Sequence, residues 1–230
     1  MLNNMRIYKC GNFYKYISIP CKSDAMSCDA MINSEKALNK YYNGDYKRKL
    51  NNLVRCKTTI SNLLLCNDFS FFVTITFNNN FNRFDLCNLR KKVNNKIRRI
   101  RQKFPFLTLQ YLFVPEHHKN GAWHIHGFLS RDFAQFIYLS SNKKYLQCDI
   151  FDFFGFNNIE ILYTSNVYFY VLKYICKDFE LHEKGKHLYF CSQNLLKPKL
   201  IDNFIYNLST FDDAFFDFKN DYCYLKIQYY

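Results

Sequence analysis

The chain has 230 residues, of which 49% are hydrophobic, which is enough for one well-packed domain with terminal elaboration and too many for a globally disordered protein. Its formal net charge of +13 favours an anionic partner, nucleic acid before a membrane. No apolar run reaches the length of a transmembrane helix, the N-terminus lacks a signal-peptide pattern, and none of the ten cysteines is spaced as C-x-x-C. These features exclude a zinc ribbon and predict a cytoplasmic protein with reduced thiols and no membrane contact.

The first clear structural signals come after residue 67. Residues 1–67 show only a helical spacing over residues 34–53 and otherwise resist interpretation. The β-branched and aromatic run at residues 71–77 predicts a strand. Apolar residues then recur at steps of three and four and predict an amphipathic helix that Pro105 ends. These apolar residues are Leu86, Leu89, Val93, Ile97, Ile100 and Phe104.

The other face of this predicted helix is strongly basic. No acidic residue follows Asp85 within the helix, so salt bridges between neighbouring turns cannot account for the charges. A merely solvated face is one interpretation, because most charge runs have no partner. The other interpretation, which we carry forward, is contact with DNA phosphates through Lys96, Arg98, Arg99 and Arg101.

The remaining elements are predicted from alternation, helical spacing and turn residues. The Asn120-Gly121 dipeptide between two strand-like runs predicts an antiparallel hairpin. We predict further strands at residues 106–114, 122–130, 158–163, 187–191 and 222–229, and further helices at residues 132–145 and 164–179. This order predicts an α+β fold in which helices pack on one side of an antiparallel sheet.

Two histidines on one predicted strand are the strongest chemical signal. His124 and His126 are two residues apart, so both side chains project from the same face of a strand. Glu116 lies before the hairpin turn and can fold back towards them, with His117 and His118 as rival third ligands. Two imidazoles and a carboxylate predict a site for a divalent metal ion, Mn²⁺ or Mg²⁺. Two histidines without a metal are the simpler alternative.

A second set of residues predicts a nucleophile. Tyr170, Lys173, Tyr174 and Lys177 share one face of a probable helix. The tyrosines alone could be core aromatics, but two lysines on an apolar core face would be energetically expensive. Nearby cations favour the phenolate, which is the nucleophilic form of tyrosine. Together with a metal ion, this pattern indicates phosphodiester chemistry.

These residues resemble the HUH endonuclease superfamily, in particular the rolling-circle replication initiators of single-stranded DNA phages and plasmids. The resemblance covers about residues 69–198. The strand with Thr74 and Thr76 is similar to the first family motif, and His124-Ile125-His126 matches the second, with Glu116 as the upstream acidic ligand. Tyr170, Lys173 and Tyr174 match the third motif, in which a second tyrosine follows Tyr-x-x-Lys.

The resemblance implies an RRM-like, or ferredoxin-like, core with a five-stranded antiparallel sheet. It implies an endonuclease domain at residues 68–198, an N-terminal extension at residues 1–67 and a C-terminal tail at residues 199–230. It also implies a nickase with strand-transfer activity, in which a tyrosine attacks origin DNA and leaves a 5′-phosphotyrosine and a free 3′-OH, helped by Lys173. The sequence contains no Walker A motif, so we expect a host helicase and polymerase as partners in the cytoplasm of a bacterial host.

Two alternatives remain open at this point. A transposase or relaxase of the same superfamily would use the same chemistry, although the double tyrosine favours the initiator. A non-catalytic module that binds nucleic acid through stacked aromatic residues is the alternative from a different class.

Overall fold

The computed structural model describes residues 2–20, 44–118, 120–163, 188–207, 217–219 and 224–229. The chain divides into two compact units, one of Met1–Arg55 with Leu196–Tyr230 and one of Cys56–Leu195. The first unit therefore joins the two chain termini, which the sequence analysis assigned to a separate extension and tail.

The described elements are the following, in chain order. They are β1 (Leu2–Cys10), β2 (Phe13–Pro20), α1 (Gly44–Cys66), β3 (Phe69–Phe77), α2 (Leu86–Lys103), β4 (Tyr111–His117), β5 (Trp123–Ser130), a 3₁₀ helix (Arg131–Phe136), β6 (Ile137–Leu139), β7 (Leu146–Cys148), α3 (Asp149–Asp152), β8 (Gly155–Ile161), β9 (Phe190–Cys191), β10 (Lys199–Asn207), β11 (Phe218–Lys219) and β12 (Tyr224–Tyr229). None of the described helices is long and apolar enough to cross a membrane.

The unit that contains both termini is built on an antiparallel sheet. Its described strands lie in the order β10-β1-β2-β12-β11. The predicted last strand is confirmed as β12, whereas β1 and β2 lie in a segment for which no strand was predicted. A tight turn joins β1 to β2, and Gly11 takes up a positive φ of 58° there, which costs glycine little because it has no side chain.

The other unit is built on a larger antiparallel sheet. Its described strands lie in the order β6-β7-β8-β3-β5-β4-β9, so the sheet has seven strands where five were predicted. The α+β class with antiparallel sheets is confirmed. The added strands β6 and β7 arise because residues 132–145, predicted as a helix, instead form a 3₁₀ helix and half of a hairpin.

Helix α2 covers one face of this sheet, and its predicted amphipathic pattern is confirmed. Its buried residues join the core of the sheet, where strand residues such as Val73, Ile75 and Ile125 also lie. The Asp85 carboxylate accepts a hydrogen bond from the Asn88 amide at 3.0 Å and caps the helix. We call this side of the sheet the helix face. Because strand side chains alternate, Thr74, Thr76, His124 and His126 lie on the opposite side, which we call the histidine face.

The hairpin that leads to the histidines is confirmed, with a different first strand. The strand β4 begins at Tyr111 and extends to His117, five residues later than predicted at its start and three at its end. Gly121 has a φ of 80°, as expected for the Asn-Gly turn. This register places Glu116 inside the ladder, directly opposite His124. The strand predicted at residues 158–163 begins earlier, as β8, and only the end of the one predicted at residues 187–191 is a strand, β9.

Candidate functional site

His124 and His126 project together from the histidine face, as predicted. Both are half-buried and alternate with the fully buried Trp123 and Ile125 along β5. Glu116 comes from the neighbouring β4, and its Oε2 lies 2.5 Å from Nε2 of His126. The carboxylate therefore reaches diagonally past its direct cross-strand partner, His124, to bind the second histidine.

Two threonines hold the other ring nitrogens of these histidines. Thr74 pairs with His126 and Thr76 with His124 across the β3–β5 ladder. Thr74 Oγ1 lies 3.0 Å from Nδ1 of His126, and Thr76 Oγ1 lies 3.4 Å from Nδ1 of His124. When Nδ1 carries the proton, the imidazole donates to the threonine and its Nε2 lone pair is left for a ligand, which is the tautomer that metal-binding histidines need.

The surroundings of His124 favour its neutral form. Burial lowers the pKa of His124, and the nearby His118, His126 and Arg83 lower it further, while the Glu116 carboxylate opposes them. Neutral imidazole is the form that binds metal ions. The environment therefore suits a ligand role for His124.

The two rival ligands occupy different positions. The ring of His117 lies against Trp123, with ring centroids 3.5 Å apart, and β4 alternation places it on the helix face. His118 is exposed and stacks on His124, with centroids 5.0 Å apart. His117 is therefore on the wrong side of the sheet to share a ligand with His124, whereas His118 adjoins the site.

The donor set fits a divalent ion in chemistry but is not arranged as a finished site. Two imidazoles and a carboxylate suit Mn²⁺ or Mg²⁺. Within the described ranges, however, no group of three or more His, Cys, Asp or Glu residues converges as a metal cluster. Instead Glu116 binds His126 directly, so His124, His126 and Glu116 could hold an ion only after the carboxylate releases its histidine.

The predicted nucleophile segment lies outside the described residues. This applies to Tyr170, Lys173 and Tyr174, and to the helix predicted at residues 164–179. Their roles stay predictions from the sequence.

The basic side chains of α2 lie across the sheet from the histidines, because α2 packs on the helix face. Arg98 and Arg99 are exposed, whereas Lys96 packs over the Phe153 ring at 5.9 Å. Arg101 donates to the backbone carbonyl of Leu109 and lies over the Tyr111 ring. Of the four predicted phosphate contacts, Arg98 and Arg99 are the ones most open to solvent.

Sequence reasoning missed what the threonines do. Thr74 and Thr76 were recognised as part of a strand motif, without a partner for either hydroxyl. The signal was available, since two polar residues alternate with Val73, Ile75 and Phe77 on a strand that is otherwise apolar. Such alternation on a central strand indicates a face that is not packed as core.

Comparison with known proteins bears on this region. Residues 70–179, a little under half of the chain, match a family model described as replication-associated protein, of the ORF2 group. The match begins in β3, includes both histidines and ends after the Tyr-x-x-Lys segment. No curated protein and no solved structure matches the chain significantly. Over the part that carries Glu116, His124 and His126, the chain is thus similar to replication-associated proteins, and this similarity supports a role in replication initiation.

Proposed function

We propose that this protein initiates rolling-circle DNA replication by nicking single-stranded DNA at an origin. The observation that carries the proposal is the pair of same-face histidines with Glu116 in contact, inside the segment that matches replication-associated proteins. The strand order β8-β3-β5-β4, with α2 after β3 and a hairpin between β4 and β5, supports an RRM-like core around this site.

In this proposal the residues of the site divide the work. A divalent ion, when bound, would polarise the scissile phosphate. His124, His126 and Glu116 would hold it, with Thr74 and Thr76 keeping the imidazoles oriented through Nδ1. The release of Glu116 from His126 would then accompany ion binding.

The strand is cleaved by a tyrosine. The Tyr170 phenolate attacks the phosphorus, the bond to the 3′ oxygen breaks, and that oxygen takes up a proton to become a free 3′-OH. The product is a 5′-phosphotyrosine, and Lys173 balances charge beside the nucleophile or the phosphate. Tyr174 would later cleave the regenerated site and allow strand closure. We expect a host helicase to separate the duplex and a host polymerase to extend the 3′-OH in the cytoplasm of a bacterial cell.

The test is the formation of a covalent adduct. The protein is incubated with Mn²⁺ and single-stranded DNA from the replicon that encodes it, and denaturing gels reveal any protein–DNA adduct. Tyr170→Phe should remove most adduct, while Tyr174→Phe should retain first cleavage and lose strand transfer. Tyr163→Phe is the matched control, because Tyr163 is 84% exposed and outside the motif.

The histidines are tested in the same assay. The double variant His124→Ala/His126→Ala should abolish nicking and leave single-strand binding largely intact. Cleavage that survives both this variant and EDTA would exclude the metal site. An adduct mapped by peptide sequencing to neither Tyr170 nor Tyr174 would exclude the assigned nucleophile while leaving the enzyme class in place.

A further inference from the structure

A short turn beside the histidine face combines exposed lysines with exposed aromatic rings. The turn joins β6 to β7 and consists of residues 140–145, which we call the Lys143 turn. Lys143 and Lys144 are exposed at its tip. Tyr145, which follows them, is 42% exposed and meets the 49% exposed Phe156 of β8 edge to face, with ring centroids 5.6 Å apart.

Hydrogen bonds hold the Lys143 turn in one shape. The Ser140 amide donates to the Tyr145 carbonyl, and the Lys143 amide donates to the Ser140 carbonyl, both at 2.8 Å. The Asn142 side-chain oxygen accepts from the Lys144 amide at 3.0 Å. Lys143 has a φ of 56°, and in the described part of the chain no other non-glycine residue has a positive φ. A lysine in the left-handed region is uncommon and stays there only when its surroundings impose it.

The aromatic pair is aligned with the proposed active site. Phe156 pairs with Thr76, Thr76 pairs with His124, and His124 pairs with Glu116, so the four residues form one row across β8, β3, β5 and β4. Phe156 is therefore two strand spacings from His124, or about 10 Å. Tyr145 and Phe156 share the histidine face, because Leu146, next to Tyr145, pairs with the core residue Ile159.

Single exposed aromatic residues are ordinary on protein surfaces. Here two rings adjoin two lysines on a rigid turn, in register with a proposed phosphodiester site. Aromatic faces that stack on unpaired bases and cations that contact the connecting phosphates are the two components of single-strand recognition. Paired bases in a duplex do not offer their ring faces to such a platform.

We propose that Phe156 and Tyr145 stack on an unpaired base of the DNA strand that adjoins the scissile phosphate, while Lys143 and Lys144 contact its flanking phosphates. This subsite rests on the proposed function for its relation to cleavage, but its binding chemistry is tested separately. It gives the hairpin β6–β7 a role, since that hairpin extends the sheet beyond the strands around the histidines.

The first test measures affinity for fluorescein-labelled oligothymidylate by anisotropy. Phe156→Ala should weaken binding by roughly 5- to 150-fold, the range for loss of one stacked base, while Phe156→Tyr should stay near wild type. Phe106→Ala is the matched control, because Phe106 is 75% exposed and contacts Phe104, away from the turn. A thermal melt of each variant checks that folding is intact.

Two further measurements assign the loss to stacking. An oligomer of abasic nucleotides should bind wild type less tightly than oligothymidylate does, and Phe156→Ala should reduce or abolish that difference. In Phe156→Trp the new indole should be quenched by oligothymidylate, against the unchanged signal of the buried Trp123. Lys144→Gln and Lys143→Asn, the latter tolerant of a positive φ, should each lower the salt slope by about 0.7.

Several outcomes would overturn the subsite. These are unchanged affinity in Phe156→Ala, an unchanged preference for bases over abasic chain, and quenching of the introduced indole that follows protein concentration in the absence of DNA. The last would indicate a contact between protein copies. If binding changes as expected while no adduct forms in the nicking assay, the subsite stands and the proposed function fails. If nicking occurs and Phe156→Ala binds normally, the reverse holds.

Discussion

Both ring nitrogens of His126 have a partner in this structure. Thr74 Oγ1 lies at Nδ1 and the Glu116 carboxylate lies at Nε2. The threonine belongs to a central strand and fixes the ring, whereas the carboxylate is only half-buried. An ion that binds Nε2 must therefore displace the glutamate and not the threonine. The same arrangement explains why the site is chemically suitable without being assembled.

Loss of the Thr74 hydroxyl should weaken ion binding by loosening His126. We expect Thr74→Val to lower Mn²⁺ affinity by about 10- to 100-fold, the usual effect of removing a partner that orients a metal-binding histidine. Thr74→Ser should restore most of it, and Thr108→Val, at an exposed loop residue, should have no effect. Isothermal titration calorimetry measures the affinity independently of nicking, and an equal loss in the serine and valine variants would argue against the hydroxyl.

The pKa of His124 should lie below its ordinary value of 6.5, chiefly because of burial and secondly because of the neighbouring His118. The unfolded chain then binds more protons than the folded one between the two pKa values. The free energy of unfolding should therefore fall as the pH drops from 6.5 through the folded pKa. An NMR titration in EDTA measures the pKa, and His118→Gln should raise it. A pKa at or above 6.5 would contradict the assigned environment.

At the scale of elements, β5 depends on Gly127 for its close contact with β4. A Cβ at this position would clash with the Phe113 ring and would lie 2.6 Å from the Leu112 carbonyl oxygen. Phe113 is the cross-strand partner of Gly127, and its ring fills the space that a side chain would need. The glycine thus allows the ladder that brings Glu116 to the histidines.

Replacement of Gly127 should push the two strands apart. We expect Gly127→Ala to lower the free energy of unfolding by about 1–3 kcal/mol, the usual cost of overpacking a core, as measured by urea denaturation. In a Phe113→Leu background the alanine should cost less, because one of the two clashes is relieved while the backbone clash stays. Additive effects of the two substitutions would show that the ring is not the obstacle.

At the scale of the whole chain, the charge of +13 is not concentrated at the proposed site alone. The basic helix α2 and the histidines lie on opposite faces of one sheet. A DNA strand that contacts both must pass around the sheet, or α2 must bind a different segment. Either arrangement makes the two contributions separable by mutation.

The salt dependence of DNA binding should separate the arginines of α2. Arg98→Gln and Arg99→Gln should each lower the slope of log K against log salt by about 0.7 for single strands, with Mn²⁺ affinity unchanged. Arg101→Gln should chiefly lower stability, because Arg101 binds the Leu109 carbonyl and covers Tyr111. An unchanged slope in the first two variants would show that this face is only solvated.

Local patterns in the sequence were sufficient for several parts of the structure. The helical period of Leu86, Leu89, Val93 and Ile97 specified α2, the Asn-Gly dipeptide specified the hairpin turn, and two-residue alternation placed the histidines on one face. These features depend on residues a few positions apart, whose geometry the backbone fixes. The chemistry of the site could therefore be predicted without any contact map.

The remaining features depended on residues far apart in the chain. The hairpin β6–β7 was missed because side-chain hydrogen bonds of Ser140 and Asn142 stabilise its turn against a helix. The pairing of β1 with β10 joins residues about two hundred positions apart, which no local pattern reports. The contact of Glu116 with His126 and the restraint on Arg101 were likewise decided by register and packing between elements, because a side chain's partner depends on which strand or helix the fold brings beside it.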